Sequence, residues 1–176
     1  MRKISAVLVI LIGICFSCEK KEDQKYAGEI ILSSELLPAD PSWSYYGFTF
    51  EDGQVKIYQD RSSVQPDLSV TYNDFNQIVS LASSNPEDPF YKDGDFANAS
   101  AAEAYFNSYR EVTANKFEAQ ADTVLVNQIW TVQTASKKFA KIWIKDIQIN
   151  TGTHSDYAEL TIKYQYQPDG TKIFPN

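Results

Sequence analysis

Ala158-Glu159-Leu160-Thr161-Ile162-Lys163-Tyr164-Gln165-Tyr166 decides the fold. Apolar side chains occupy every second position, and Glu159, Thr161, Lys163 and Gln165 fill the places between. A strand turns successive side chains to opposite faces, so this stretch predicts a half-buried β-strand with one dry and one wet side. Pro168-Asp169-Gly170 ends it, because proline pre-sets φ and Asp-Gly accepts the left-handed backbone of a tight turn. Upstream, Ala140, Ile142 and Ile144 alternate with Lys141, Trp143 and Lys145. After Asp146 the apolar phase moves to Ile147 and Ile149, a one-residue slip of the kind a β-bulge produces. Asn150-Thr151-Gly152 supplies the turn between the two runs, and Ile129-Trp130-Thr131-Val132 is a third. Together they predict an antiparallel meander.

Earlier in the chain, Glu29 to Leu37 reads as a first strand or lead-in, broken by Pro38 and Pro41. Tyr46, Phe48 and Phe50 alternate up to Asp52-Gly53, and Val55 and Ile57 alternate back, which predicts a hairpin. Two short helices are expected, at about 71–83 and 101–113. The first has Thr71 as N-cap and a face of Phe75, Ile78, Val79 and Ala82. The second opens on the capping box Ser100-Ala101-Ala102-Glu103 and carries Tyr105, Tyr109 and Val112. Ser83 to Ser100 reads as a long loop between them. The expectation is a mostly β, single antiparallel domain over 28–176.

The 176 residues carry a net charge of −7, and losing a leader with Arg2 and Lys3 makes it −9, with 14 basic residues against 23 acidic. Such a surface repels phosphates, so nucleic acid is not an expected partner. The two cysteines, Cys15 and Cys18, both lie near the N-terminus and leave no thiol for a disulfide or metal site further on. Arg2-Lys3 followed by the apolar run Ile4 to Phe16 is the pattern of a secretory signal peptide over 1–17. Ser17-Cys18 with the charged Glu19-Lys20-Lys21-Glu22-Asp23 behind it resembles a bacterial lipoprotein cleavage box. That resemblance implies diacylglycerol and palmitate on Cys18, a charged tether over 18–27, and an anchor in the outer membrane, exposed at the cell surface if the acidic residues act as an export signal.

Phe139-Ala140-Lys141-Ile142, Tyr157 to Tyr166 and Gln167-Pro168-Asp169-Gly170-Thr171 resemble the C-terminal region of HmuY-like haem-binding lipoproteins of the Bacteroidetes type. Tyr46-Gly47-Phe48-Thr49-Phe50-Glu51-Asp52-Gly53 resembles that family's early aromatic hairpin. The resemblance implies a β-rich domain that takes up haem outside the cell and passes it to a TonB-dependent outer-membrane receptor. The tryptophan-aspartate strand usual after that hairpin is missing here. Haem binders of the family clamp iron with two histidines or with methionine. Past the leader this chain has His154 alone and no methionine, so composition excludes a paired clamp within one chain.

His154, in the turn Asn150 to Asp156, is either a single axial ligand or a solvated turn residue. Tyr91, Tyr105 and Tyr109 are either phenolate ligands or packing residues. Trp143 falls on the lysine face of its strand, as a platform for a ring-shaped ligand or as a covered residue; Trp43 and Trp130 are further candidates. Glu87, Asp88, Asp93 and Asp95 crowd one stretch but lack the order of a calcium loop. No P-loop, dinucleotide glycine pattern or G-x-S-x-G elbow occurs, so no enzyme activity is expected. The expectation is a lipid-anchored binding protein, with haem or a porphyrin as the implied ligand. The alternative is a surface lipoprotein that binds a glycan or protein without a cofactor.

Overall fold

The computed structural model describes residues 26–38, 42–60 and 62–175. The leader and Cys18 lie outside them. Ten strands form two antiparallel sheets: β1 (Ala27–Ser33), β2 (Leu36–Pro38), β3 (Trp43–Thr49), β4 (Gln54–Gln59), β5 (Leu68–Asn73), β6 (Ile78–Ala82), β7 (Phe90–Asp95), β8 (Gln128–Gln133), β9 (Phe139–Thr151) and β10 (Asp156–Gln167). Among the described residues one named helix, α1 (Ala99–Ser108), separates β7 from β8. The first sheet runs β1-β10-β9-β8-β7; the second runs β2-β3-β5-β6, with β4 also paired to β3. The chain is mostly β, as the alternation requires.

The meander forms as expected. Leu160, Ile162, Tyr164 and Tyr166 face inward from β10 onto Ala140, Ile142 and Ile144 of β9. Thr161 pairs with Asp146 but Ile162 pairs with Ile144, so Lys145 is the extra residue of a bulge. That is the phase slip visible in the sequence. Phe48 and Phe50 of the early hairpin meet Tyr164 and Tyr166 from the opposite sheet, the Phe50 and Tyr166 rings stacked at 5.7 Å. Leu68, Val70, Val79 and Leu81 complete a core shared by both sheets. Each such side chain withdrawn from water contributes about 1.5–3 kcal/mol.

The helix expected at 71–83 does not form. That stretch is the β5–β6 hairpin, with Val70 opposite Leu81 and Tyr72 opposite Val79. The apolar residues fit a period of two as well as one of 3.6, and β-branched residues with a long-range partner decide for strand. Asn73 makes the turn: its Oδ1 accepts from the backbone N–H of Phe75 at 3.1 Å and of Asn76 at 3.3 Å. Phe75, assigned to the buried face of that helix, is 96% exposed at the turn.

The helix expected at 101–113 is shorter and shifted. Asn98, not Ser100, is its N-cap, accepting from Ala101 N–H at 3.0 Å. At Tyr109 the backbone is already extended, so Val112 lies beyond the helix and bonds to Lys172 instead. Asn98→Ala should lower stability by about 1 kcal/mol in a denaturant melt, the usual worth of such a cap.

The supposed loop 83–100 contains β7. Its carboxylates disguised it, and Gly94 marks a second bulge, where Lys92 pairs with Trp130 and Gly94 with Ile129. After Phe117 the strands return with β8, β9 and β10. Before β8, a strap over 118–124 bonds Glu118 to Phe90, Ala121 to Leu81 and Val124 to Val79, joining an edge of each sheet.

Candidate functional site

The outer face of the first sheet is where the sequence-derived candidates meet. Ile129, Thr131, Lys141, Trp143 and Lys163 point away from the core on neighbouring strands, and α1 lies across them. Ala102 and Phe106 of α1 pack on Ile129 and Trp143. Trp143 is therefore not an open platform: it is 3% exposed. Its indole N–H is buried and has no hydrogen-bond partner among the described residues. The ammonium groups of Lys145 and Lys163 lie 5.7 and 5.8 Å from its ring centre.

Beside this contact a cleft of about 580 Å³ opens between α1 and the β1–β10 edge. Trp143 and Phe106 line it, together with Arg110, Lys145 and Lys163. Glu29 and Glu103 line it too, but each is tied to a lysine: Lys145 to Glu29, and Lys163 to Glu103 at 3.7 Å. Both acids are about half exposed, 48% and 56%. What the cleft offers is an aromatic wall and three cations on a chain that is otherwise acidic.

Next to the cleft, Lys141 is 1% exposed and has no carboxylate against it among the described residues. Its Nζ donates to the backbone carbonyls of Phe106 and Tyr109, each at 2.7 Å, so it closes the C-terminal end of α1. The rings of Phe106, Phe174 and Tyr109 surround it at 4.7, 5.1 and 5.9 Å. Burial, with Arg110 and Lys163 nearby, pushes its pKa down to about 8. On the other side of Tyr109 sits Asp93, the bulge residue of β7. Thr131 donates to its Oδ2 at 2.8 Å, and the Tyr109 hydroxyl lies 2.8 Å from that of Thr131. Burial pushes the Asp93 carboxyl up to about 6. Neither Lys141 nor Asp93 stood out in the sequence; the only trace was a lysine at an alternating position of a strand whose outer face a helix covers.

Tyr105 and Tyr109 come together, ring centres 5.6 Å apart, with Phe96 against Tyr105 at 4.9 Å. Burial and Asp93 hold the Tyr109 phenol protonated, opposite to what a phenolate ligand needs. Tyr91 packs on Phe117. His154 lies elsewhere, exposed beyond the far end of β9 and edge-on to Trp43 at 5.5 Å. Ten residues of strand separate Lys141 from Thr151, roughly 33 Å, so His154 and the tyrosine pair cannot hold one iron atom. No family model matches this chain, and no curated protein matches it. Among the described residues no group of three or more His, Cys, Asp or Glu is placed to hold a metal ion.

Proposed function

We propose that this chain is a lipid-anchored, extracytoplasmic binding protein of the HmuY-like kind, and that its ligand seat is the cleft between α1 and the β1–β10 edge. The leader pattern supports the anchor, and the β-rich fold is compatible with the kinship. The observation that carries the reading is the cleft: Arg110, Lys145 and Lys163 around Trp143 and Phe106. That set suits a flat ligand bearing carboxylates, the chemistry of a porphyrin with its propionates. It does not suit axial ligation, because no histidine, cysteine or methionine lines the cleft, and burial raises the pKa of the lining's Tyr164, against a phenolate ligand. Haem held here would be bound through its edge and faces, with iron left to another ligand.

Haemin titrated into the full chain should shift the Soret band. Replacing Arg110 and Lys163 together by alanine should weaken that binding by about a hundredfold, since each charge-assisted hydrogen bond contributes roughly 1.5 kcal/mol or more. His154→Ala should leave the spectrum unchanged. If His154→Ala abolishes the shift, the seat is at the other end of the molecule. No shift at micromolar haemin ends the porphyrin reading. The alternative, a cofactor-free surface lipoprotein, predicts that last outcome.

A further inference from the structure

We propose a second binding site, for a neutral sugar, in the seam of the second sheet where β2 and β5 compete for one edge of β3. β2 pairs with Trp43–Tyr45 and β5 with Gly47 and Phe48 on that same edge. Beyond Ser69, β5 has no register with β3, because β2 already occupies the place. The two strands part and leave a cavity of about 330 Å³, at the small end of ligand-site volumes.

The floor of this cavity is built and rigid. The Tyr45 ring stacks on Tyr58 across the β3–β4 pair, centres 6.2 Å apart and planes 29° apart. Its hydroxyl donates to Gln65 Oε1, and Gln65 Nε2 in turn donates to the Ser62 carbonyl at 2.6 Å. The segment carrying Gln65 is seated by Pro66, which lies so close to Gly47 that a Cβ there would clash with its ring. One face of Tyr45 is thus backed by another ring. Ser69, Thr71, Tyr72, Leu36 and Val70 also line the cavity, with Asp60 the only charged residue of the lining.

This inventory selects by chemistry. Asp60 repels anions, so the cavity does not duplicate the cationic cleft. A purely apolar ligand would strip water from the hydroxyls, the amide and the carboxylate without replacing their hydrogen bonds. A pyranose meets both needs. Its C–H face lies on an aromatic ring, and its hydroxyls donate to a carboxylate and exchange hydrogen bonds with serine, threonine and glutamine. A quaternary ammonium would also be drawn to Asp60, but it calls for several open ring faces. Here one face of Tyr45 is already taken.

The test uses the full chain and ligand-observed saturation-transfer NMR with maltose, cellobiose and lactose as neutral probes and choline as the cationic one. At least one disaccharide should receive saturation at millimolar concentration, and choline should not. Tyr45→Ala should weaken that binding by about tenfold, the worth of one ring contact. Asp60→Asn, at an exposed position that leaves folding intact, should weaken it to a similar degree. Failure of all three sugars, preference for choline, or sugar binding indifferent to Asp60→Asn would each overturn the proposal. Because the haemin cleft lies on the other sheet, its result and this one are independent.

Discussion

Substituting alanine for Lys141 is expected to cost the fold about 3 kcal/mol and lower its thermal midpoint by roughly 10 °C. The change strands the Phe106 and Tyr109 carbonyls at the end of α1, each left without a partner at about 1–3 kcal/mol, and opens a void among three aromatic rings. Part of that loss is offset, because a buried cation no longer has to be desolvated. Lys141→Met separates the terms, since it fills the volume and still strands the carbonyls. A methionine variant as stable as the parent would mean that the two hydrogen bonds contribute no more than desolvating the cation costs. The native lysine also sets a pH signature. Its folded pKa of about 8 lies below the unfolded 10.5, so the unfolded chain holds more protons between those values. Stability should therefore rise with pH from about 8 toward 10, by up to about 3 kcal/mol, and urea melts of Lys141→Met should lack the rise. The neutral amine keeps two N–H donors, enough for both carbonyls.

Asp93→Asn is expected to stabilise the protein at neutral pH by about 2 kcal/mol. The folded carboxyl has its pKa raised to about 6 from 3.8, so here the folded chain holds the extra proton. Stability is then highest below the unfolded value and is lost as pH climbs from about 4 to 6, the reverse of an ion-paired carboxylate. The asparagine side chain accepts from Thr131 without the charge, so its stability should be flat across that window. Melts at pH 4.5 and 7 decide the matter. A parent protein that gains stability over this interval, with a variant that follows it, would show that Asp93 is solvated.

The early hairpin, the meander and even the bulge at Lys145 were legible, because each is written in local alternation or in a turn dipeptide; the second helix was legible as an element but not in its bounds or its cap. The hairpin over Leu68–Ala82 was not, because Phe75, Ile78, Val79 and Ala82 can be threaded on a helical period when the partner strand is unknown. Lys141 and Trp143 show the same limit at the site. Alternation placed both on the outer face of β9, and an outer face reads as wet until something covers it. The cover is α1, thirty-one residues or more away in sequence from the strand it shields, and no pattern within β9 announces it. Asp93 was hidden differently. Among four carboxylates it looked like solvated charge, and only the bulge in β7 turns it inward.

The strap over 118–124 has a consequence for how copies of this chain behave side by side. Unpaired strand margins invite neighbouring molecules to stack ribbon on ribbon, and on this flank both margins are occupied by the protein's own backbone. The opposite margin, β4, has no such guard. There Val55 and Ile57 stand exposed with Lys56 between them. Resistance to fibril-like self-assembly at a crowded surface thus falls to a single ammonium group.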